Sequence, residues 1–354
     1  MENQEEFQER PVTFERPQHH FVFLIASDGA MLGLDDEGNP ALFQDADDRV
    51  IWDRTLDGIK QVLTGKDLTA DIDEDACSLS VGSEEVTFTV THGPDRLPSE
   101  YLEHLKREGW VCLPCMLSPE IVDGLQQVGG SDNYEHLEAR NDSPKVCQHI
   151  AVSRAICEPI SLWLIRQYLQ TRDLHLAHPA NVTVLAPYDG KSRAQGWHSD
   201  IPYGRNNGVD RKGPLKAVQR NVCVSDFGKA NGATAYKLGS HLADTLPPDE
   251  WNPGRDGTDP TVRPYSGPES DVVEAPAGSI VLYDARTWHR AGFNHSQHKR
   301  ASMLMSFQTA DVIPKKDTRP TCKKFHESPI YQELNSRQQR EITELMMNQP
   351  DVVV

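Results

Sequence analysis

In the stretch Gln195-Gly196-Trp197-His198-Ser199-Asp200 an imidazole and a carboxylate stand two residues apart. On an extended chain residues i and i+2 project to one face, so His198 and Asp200 converge while Ser199 faces away. Two such ligands underhold a catalytic metal, and a third has to arrive from a distant part of the chain. That demand constrains the fold more than any other feature. The best source is the run Ile280-Val281-Leu282-Tyr283-Asp284-Ala285-Arg286-Thr287-Trp288-His289, which reads as a buried strand ending in a histidine.

Two His and one Asp with three positions left open form the facial set that holds non-haem Fe(II). His-x-Asp alone also fits a surface turn or a satisfied core pair, so context has to decide. Arg300 lies eleven residues after His289, across the polar turn from Gly292 to Lys299, and Ala301 to Phe307 resumes as a strand. This spacing predicts His289 and Arg300 on adjacent antiparallel strands. A guanidinium there can grip a carboxylate through two parallel hydrogen bonds, as a 2-oxo acid chelating iron at its other end requires. Ser302 shares the face of Arg300 and can add a hydroxyl to the same carboxylate; a core-facing serine is the plain alternative.

Taken in order, these features resemble the phytanoyl-CoA dioxygenase family of Fe(II)/2-oxoglutarate-dependent oxygenases, from about Ser99 to about Thr309. The resemblance rests on the helix-strand unit Tyr101 to Val111 and on His198-x-Asp200. It also rests on Asn231-Gly232-Ala233-Thr234 leading to Gly239-Ser240-His241, on Ala277-Gly278-Ser279, and on Trp288-His289 with its spacing to Arg300. It implies a mainly β fold, a double-stranded β-helix (jelly roll, cupin-like) with flanking helices. His198, Asp200 and His289 would be the iron ligands and catalytic centre, and Arg300 the clamp for 2-oxoglutarate. The implied reaction consumes O2 and decarboxylates 2-oxoglutarate to succinate and CO2, with ascorbate as reductant, while oxidising a small-molecule C–H. Asp200 argues against halogenation, because halogenases of this superfamily carry Gly or Ala there. Gln195 and Thr234 match 2-oxoglutarate contacts of the family's fungal branch, which points toward specialised metabolism. Tyr203 and Arg205, just past Asp200, are candidate substrate contacts, with loop packing as the alternative. Desaturation, endoperoxide formation or rearrangement could use the same centre. A non-catalytic jelly-roll binding protein is the rival of another class.

The rest of the chain frames this centre. A formal charge of -17 disfavours nucleic acid and anionic membrane surfaces as partners. No stretch is apolar for long enough to span a membrane. The acidic opening Met1 to Glu6 reads as neither secretory signal nor transit peptide. The seven cysteines are scattered; Cys112-Leu113-Pro114-Cys115 has metal-like spacing but no second pair, and reads as buried thiols of a reduced, cytoplasmic protein.

Four segments are expected: a disordered 1–17, a small antiparallel β module over 18–93, the oxygenase domain over 98–313 and a helical tail over 314–354. In the module, short apolar runs such as Phe21 to Ile25 and Val86 to Val90 alternate with turns such as Asp28-Gly29. Ser99 and Ser118 are candidate helix N-caps. Ile150 to Thr171 and Pro329 to Asn348 each read as one helix. The stretches 129–148 and 247–268 read as a lid and an irregular insertion. Arg205, Arg211, Lys212, Lys216 and Arg220 read as a basic loop that could steer an anion, with a solvated loop whose charges balance elsewhere as the favoured alternative. A homodimer could form through the β module or the C-terminal helix.

Overall fold

The structure, a computed structural model, describes residues 9–55, 58–72, 75–131, 134, 143–190, 196–200, 213–248 and 270–351. The first strand, β1 (Glu9–Thr13), corrects the expectation of disorder through residue 17. It pairs in parallel with Ser270–Glu274 of the oxygenase region, Arg10 bridging to Asp271 at 2.7 Å. The apolar alternation that follows makes the expected β module. Its strands are β2 (Val22–Ile25), β3 (Met31–Leu34), β4 (Pro40–Phe43), β5 (Trp52–Thr55), β6 (Gly58–Gln61), β7 (Asp67–Thr69), β8 (Asp71–Ile72), β9 (Ala76–Val81) and β10 (Glu84–His92). They form one antiparallel sheet around Leu24, Leu32, Trp52, Ile59 and Phe88. Its other face does not stand alone. Phe23, Met31, Val50 and Ile51 enter the core of the following region.

That region opens with α1 (Pro98–Glu108), β11 (Trp110–Leu113) and α2 (Pro119–Gly129). Leu97, not Ser99, is the N-cap of α1; the Ser99 amide instead donates to Asp48 of the β module at 2.9 Å. Gly109 ends α1 at φ 78, and a Cβ there would lie 2.4 Å from His241 Nδ1, so only glycine suits both the turn and the neighbour. The segment expected as one helix over 150–171 is two, α3 (Ile150–Ile156) and α4 (Pro159–Leu169). Pro159 starts the second, and the Glu158 carboxylate caps it through the amides of Ile160 and Ser161.

The remaining strands are β12 (Leu174–Leu176), β13 (Asn181–Leu185), β14 (Ala217–Cys223), β15 (Thr234–Tyr236), β16 (Ser270–Glu274), β17 (Ile280–Asp284), β18 (His289–Ala291) and β19 (Arg300–Thr309). They divide into two sheets, β11-β17-β14-β19-β12 with β13 also on β19, and β1-β16-β15-β18. The period of two assigns their faces. Trp110, Cys112, Val281 and Tyr283 pack inward on Ala235, Tyr236 and Val272 of the opposite sheet. Val111, Leu113, Ile280, Leu282, Met303 and Phe307 point outward and are covered by the helices. Trp110 stacks on Tyr236 across the gap, ring centres 5.8 Å apart. Two facing sheets, antiparallel except where β1 joins β16, closed by a shared core make the jelly roll.

The predicted long strand from Ile280 to His289 is broken. Asp284, fully buried, ends β17: its Oδ1 accepts the Arg286 amide at 2.8 Å and its carbonyl accepts the Thr287 amide at 2.8 Å. The turn carries the chain to the other sheet, where β18 begins at His289. His289 and Arg300 therefore lie on strands of opposite sheets, not on adjacent antiparallel strands.

The tail is likewise three helices, α5 (Arg319–His326), α6 (Pro329–Gln332) and α7 (Ser336–Met347), rather than one from Pro329. Asn335 starts α7 with a capping box to Gln338, which interrupts the apolar stripe. Ile342, Leu345 and Met346 bury that stripe in the helical layer.

Candidate metal centre

The centre forms where the His-x-Asp stretch crosses β18. His198 and His289 exchange both backbone hydrogen bonds, at 3.0 and 2.9 Å, which fixes the two residues side by side. Ser199 faces away, as the spacing predicts, and donates to the Ala285 carbonyl at 3.1 Å. Asp200 returns to the side of the histidines. Its Oδ1 lies 3.9 Å from His198 Nε2 and its Oδ2 3.6 Å from His289 Nε2. One donor atom of each of the three residues lies within 4.8 Å of the others.

Both imidazoles are oriented through their other nitrogen. His198 Nδ1 sits 2.9 Å from the Gly196 carbonyl and His289 Nδ1 3.0 Å from the Thr287 carbonyl. With Nδ1–H donating there, each ring presents its Nε2 lone pair to the common point. Burial pushes the His289 pKa down to about 4, against the opposing pull of Asp200, so the ring is neutral at neutral pH and able to ligate.

These groups line a cavity of about 420 Å3. Arg300, the first residue of β19, enters it and is 7% exposed. Its guanidinium stacks over Phe227 at 4.3 Å, while Nε and Nη1 have no hydrogen-bond partner among the described residues. Burial lowers its pKa to about 10, which leaves the group cationic. A buried cation with unused donors asks for an anion. Ser302 lines the same cavity, its hydroxyl 3.2 Å from that of Thr183 on β13. Thr234 lines it from the opposite sheet. The chain turns into Thr234 through Gly232, at φ 84, where a Cβ would lie 2.8 Å from the Gly292 carbonyl.

The residues present fit ferrous iron and a 2-oxo acid. Two neutral imidazoles and a carboxylate converge, and an unneutralised guanidinium waits in the same cavity.

The structure thus brings together His198, Asp200, His289, Arg300, Ser302 and Thr234. Gln195, Tyr203 and Arg205 lie outside the described residues, as do Arg211, Lys212, positions 132–133 and 135–142 of the expected lid and 249–268 of the expected insertion. Arg220 does not belong to a basic loop: it sits in β14, 1% exposed. Lys216 pairs with Asp311 at 2.7 Å. His241 is buried with its Nε2 on the Lys106 carbonyl, away from the triad. His295 and His298 are exposed. All seven cysteines are free, and Cys112 and Cys115 are buried.

Sequence reasoning passed over Gln219, Asn221 and Tyr283, which also line the cavity. The available signal was the run Val218-Gln219-Arg220-Asn221-Val222. An amide at alternate positions of a wholly buried strand marks a polar inner face.

A family model described as Phytanoyl-CoA dioxygenase (PhyH) matches residues 105–302, more than half of the chain. Dioxygenase olcK of Penicillium canescens is 29% identical over 136 residues, 38% of this chain and 40% of that protein. Dioxygenase af480 of Aspergillus fumigatus is 26% identical over 225 residues, 58% of this chain and 65% of that protein. The matches thus span less than two thirds of either relative's length. Among solved structures, the epimerase SnoN in complex with Fe3+, alpha ketoglutarate and nogalamycin RO is 17% identical. It covers 62% of this chain and 86% of its own, with a TM-score of 0.43. On the match across residues 105–302, which contain all three residues of the triad and Arg300, this chain belongs to the phytanoyl-CoA dioxygenase family.

Proposed function

We propose that the protein is an Fe(II)/2-oxoglutarate-dependent dioxygenase that hydroxylates a C–H bond of a small molecule. The observation that carries this reading is the buried Arg300, with two donor nitrogens unused, in the cavity that also holds the three convergent ligands. His198, Asp200 and His289 would hold the iron, and Arg300 would take the distal carboxylate of 2-oxoglutarate by paired charge-assisted hydrogen bonds. Ser302 and Thr234 would complete that end. Gln195 is assigned to the same cosubstrate, and Tyr203 and Arg205 to the substrate, on the family resemblance and their position in the sequence. When bound, the iron supplies oxidation by O2 coupled to decarboxylation of 2-oxoglutarate to succinate and CO2.

The chain's own groups orient and exclude. The Gly196 and Thr287 carbonyls hold the two imidazoles in one tautomer. Phe227 backs the clamp, and the aromatic wall of Tyr283 and Tyr236 stands against His289, ring centres 4.8 and 6.2 Å away. That wall keeps water from the buried side of the centre.

The reading is tested by succinate release from 2-oxoglutarate with Fe(II) and ascorbate, with and without a panel of small-molecule substrates. Turnover in the wild type that disappears in Asp200→Ala is expected. Absence of turnover under every condition would favour a non-catalytic binding protein. No helix among the described residues is long and apolar enough to cross a membrane. The free cysteines support placing the protein in the reducing cytoplasm.

A further inference from the structure

A second cavity, of about 600 Å3, lies where the β module meets the helices. It shares no lining residue with the metal centre. Its lining is mixed, with an apolar wall made by Phe23 and Ile25 of β2, Met116 and Leu117 after β11, and Ile121 of α2. Arg337, in the first turn of α7, lines it and is 3% exposed.

This guanidinium is poorly spent. Nη1 and Nη2 both lean on one acceptor, the Cys157 carbonyl, at 3.4 Å each, and Nε has no partner. Among the described residues no carboxylate stands within ion-pairing distance of it. The contrast with Arg166 on α4 is direct: that buried arginine meets Glu341 at 2.6 Å. Glu158 shares the cavity with Arg337, but its oxygens accept the amides of Ile160 and Ser161 at 2.9 and 2.7 Å and so are committed to capping α4. Glu120 and Glu333 are exposed at the rim, as is a second cation, Arg154. A charge taken from water without a counter-charge is costly, and an anion entering this cavity would relieve it.

We propose that this cavity binds a small apolar monocarboxylate, its carboxylate on Arg337 and its hydrocarbon body against Phe23, Ile25 and Ile121. The β module then forms one wall of a binding site separate from the iron centre.

Octanoate is the probe, with octanamide as its uncharged counterpart, measured on the full chain by calorimetry and thermal unfolding. Octanoate should bind and raise Tm, and octanamide should bind more weakly. Arg337→Met should weaken octanoate roughly 10–100-fold, the size expected for a lost charge-assisted hydrogen bond. Arg337→Lys should recover part of that loss. Binding should survive Arg300→Ala, which separates this site from the proposed 2-oxoglutarate clamp. Should Arg337→Met fail to fold, Ile121→Trp fills the cavity from its half-buried rim and should abolish binding. Equal octanoate affinity in wild type and Arg337→Met, binding that survives Ile121→Trp, loss of binding in Arg300→Ala, or no binding by the wild type would each overturn the proposal.

Discussion

The two faces of the helix-covered sheet each bury an arginine, and the two arginines live differently. Arg220, on the outer face of β14, donates to Ser161 Oγ at 2.6 Å and to the Ala155 and Ile156 carbonyls at 2.9 and 2.8 Å. These carbonyls close the end of α3, where a helix dipole favours a cation. Arg300, on the inner face of the neighbouring strand, leaves Nε and Nη1 without partners among the described residues. Burial lowers the pKa of both to about 10, so burial alone does not distinguish them. What distinguishes them is how the guanidinium is spent: among the described residues both leave Nε without a partner, but Arg220 commits both Nη nitrogens while Arg300 leaves Nη1 open. The outer arginine ties helices to the sheet, and the inner one keeps Nη1 open in the cavity.

The comparison extends along the strands. Outward positions of β14 and β19 are Val218, Val222, Ala301, Met303 and Phe307, all in the main core. Inward positions are Gln219, Asn221, Arg300, Ser302 and Ser306, all lining the cavity. One pair of strands carries stability on one side and chemistry on the other.

The largest effect expected is on the inner side. Asp200→Ala should remove turnover altogether, exceeding the roughly 10–100-fold that loss of an outer-shell partner costs a metal site. Its Tm should stay near that of the wild type, and a comparable unfolding penalty would blur the division between faces. Next comes the outer arginine. Arg220→Met should destabilise the protein by about 3 kcal/mol, because it removes hydrogen bonds from a charged donor and orphans two helix-end carbonyls. Urea unfolding measures that, and the KM for 2-oxoglutarate should be unchanged. Arg300→Ala should do the reverse. The KM for 2-oxoglutarate should rise roughly 30–150-fold, equivalent to about 2–3 kcal/mol of bidentate charged contact, with little change in stability. If Arg300→Ala instead unfolds at the urea concentration of Arg220→Met, the contrast is broken. The smallest effect belongs to Ser302→Ala. One neutral hydroxyl is worth about 1 kcal/mol, so a KM increase of roughly 5-fold sharpens the assignment. No increase would leave Ser302 as the partner of Thr183 alone.

Much of the centre is legible in the amino-acid sequence. His198, Asp200, His289 and Arg300 are residue types whose chemistry is written in the side chain, and the i, i+2 spacing aligns the first two on any extended backbone. The strands of the β module were equally visible in the apolar runs around Leu24, Trp52 and Phe88. Less legible was the path of the chain between sheets. The run Ile280 to His289 looks continuous, because periodicity registers burial but not which sheet accepts a strand. The break is a local turn in which Asp284 catches the amide of Arg286, but that β17 stays on β14 while β18 joins β15 is set by pairing with distant strands. Strand β1 was missed for a similar reason: Glu9 to Thr13 is polar and gains its hydrogen bonds from β16, far along the chain.

By itself the amino-acid sequence determined the chemistry available to this protein: which donors it owns, their local spacing and the alternation that makes strands. Local rules suffice for those, since each depends on covalent geometry and on neighbours one or two residues away. Only the tertiary structure decided that β18 crosses to the opposite sheet and that the buried arginine of β14 commits both Nη nitrogens while that of β19 leaves Nη1 open among the described residues. It also decided that Arg337 faces a cavity walled in part by the β module. Those outcomes hang on contacts between distant segments, where the hydrogen bonds a buried group finds are set by packing and not by its place in the chain.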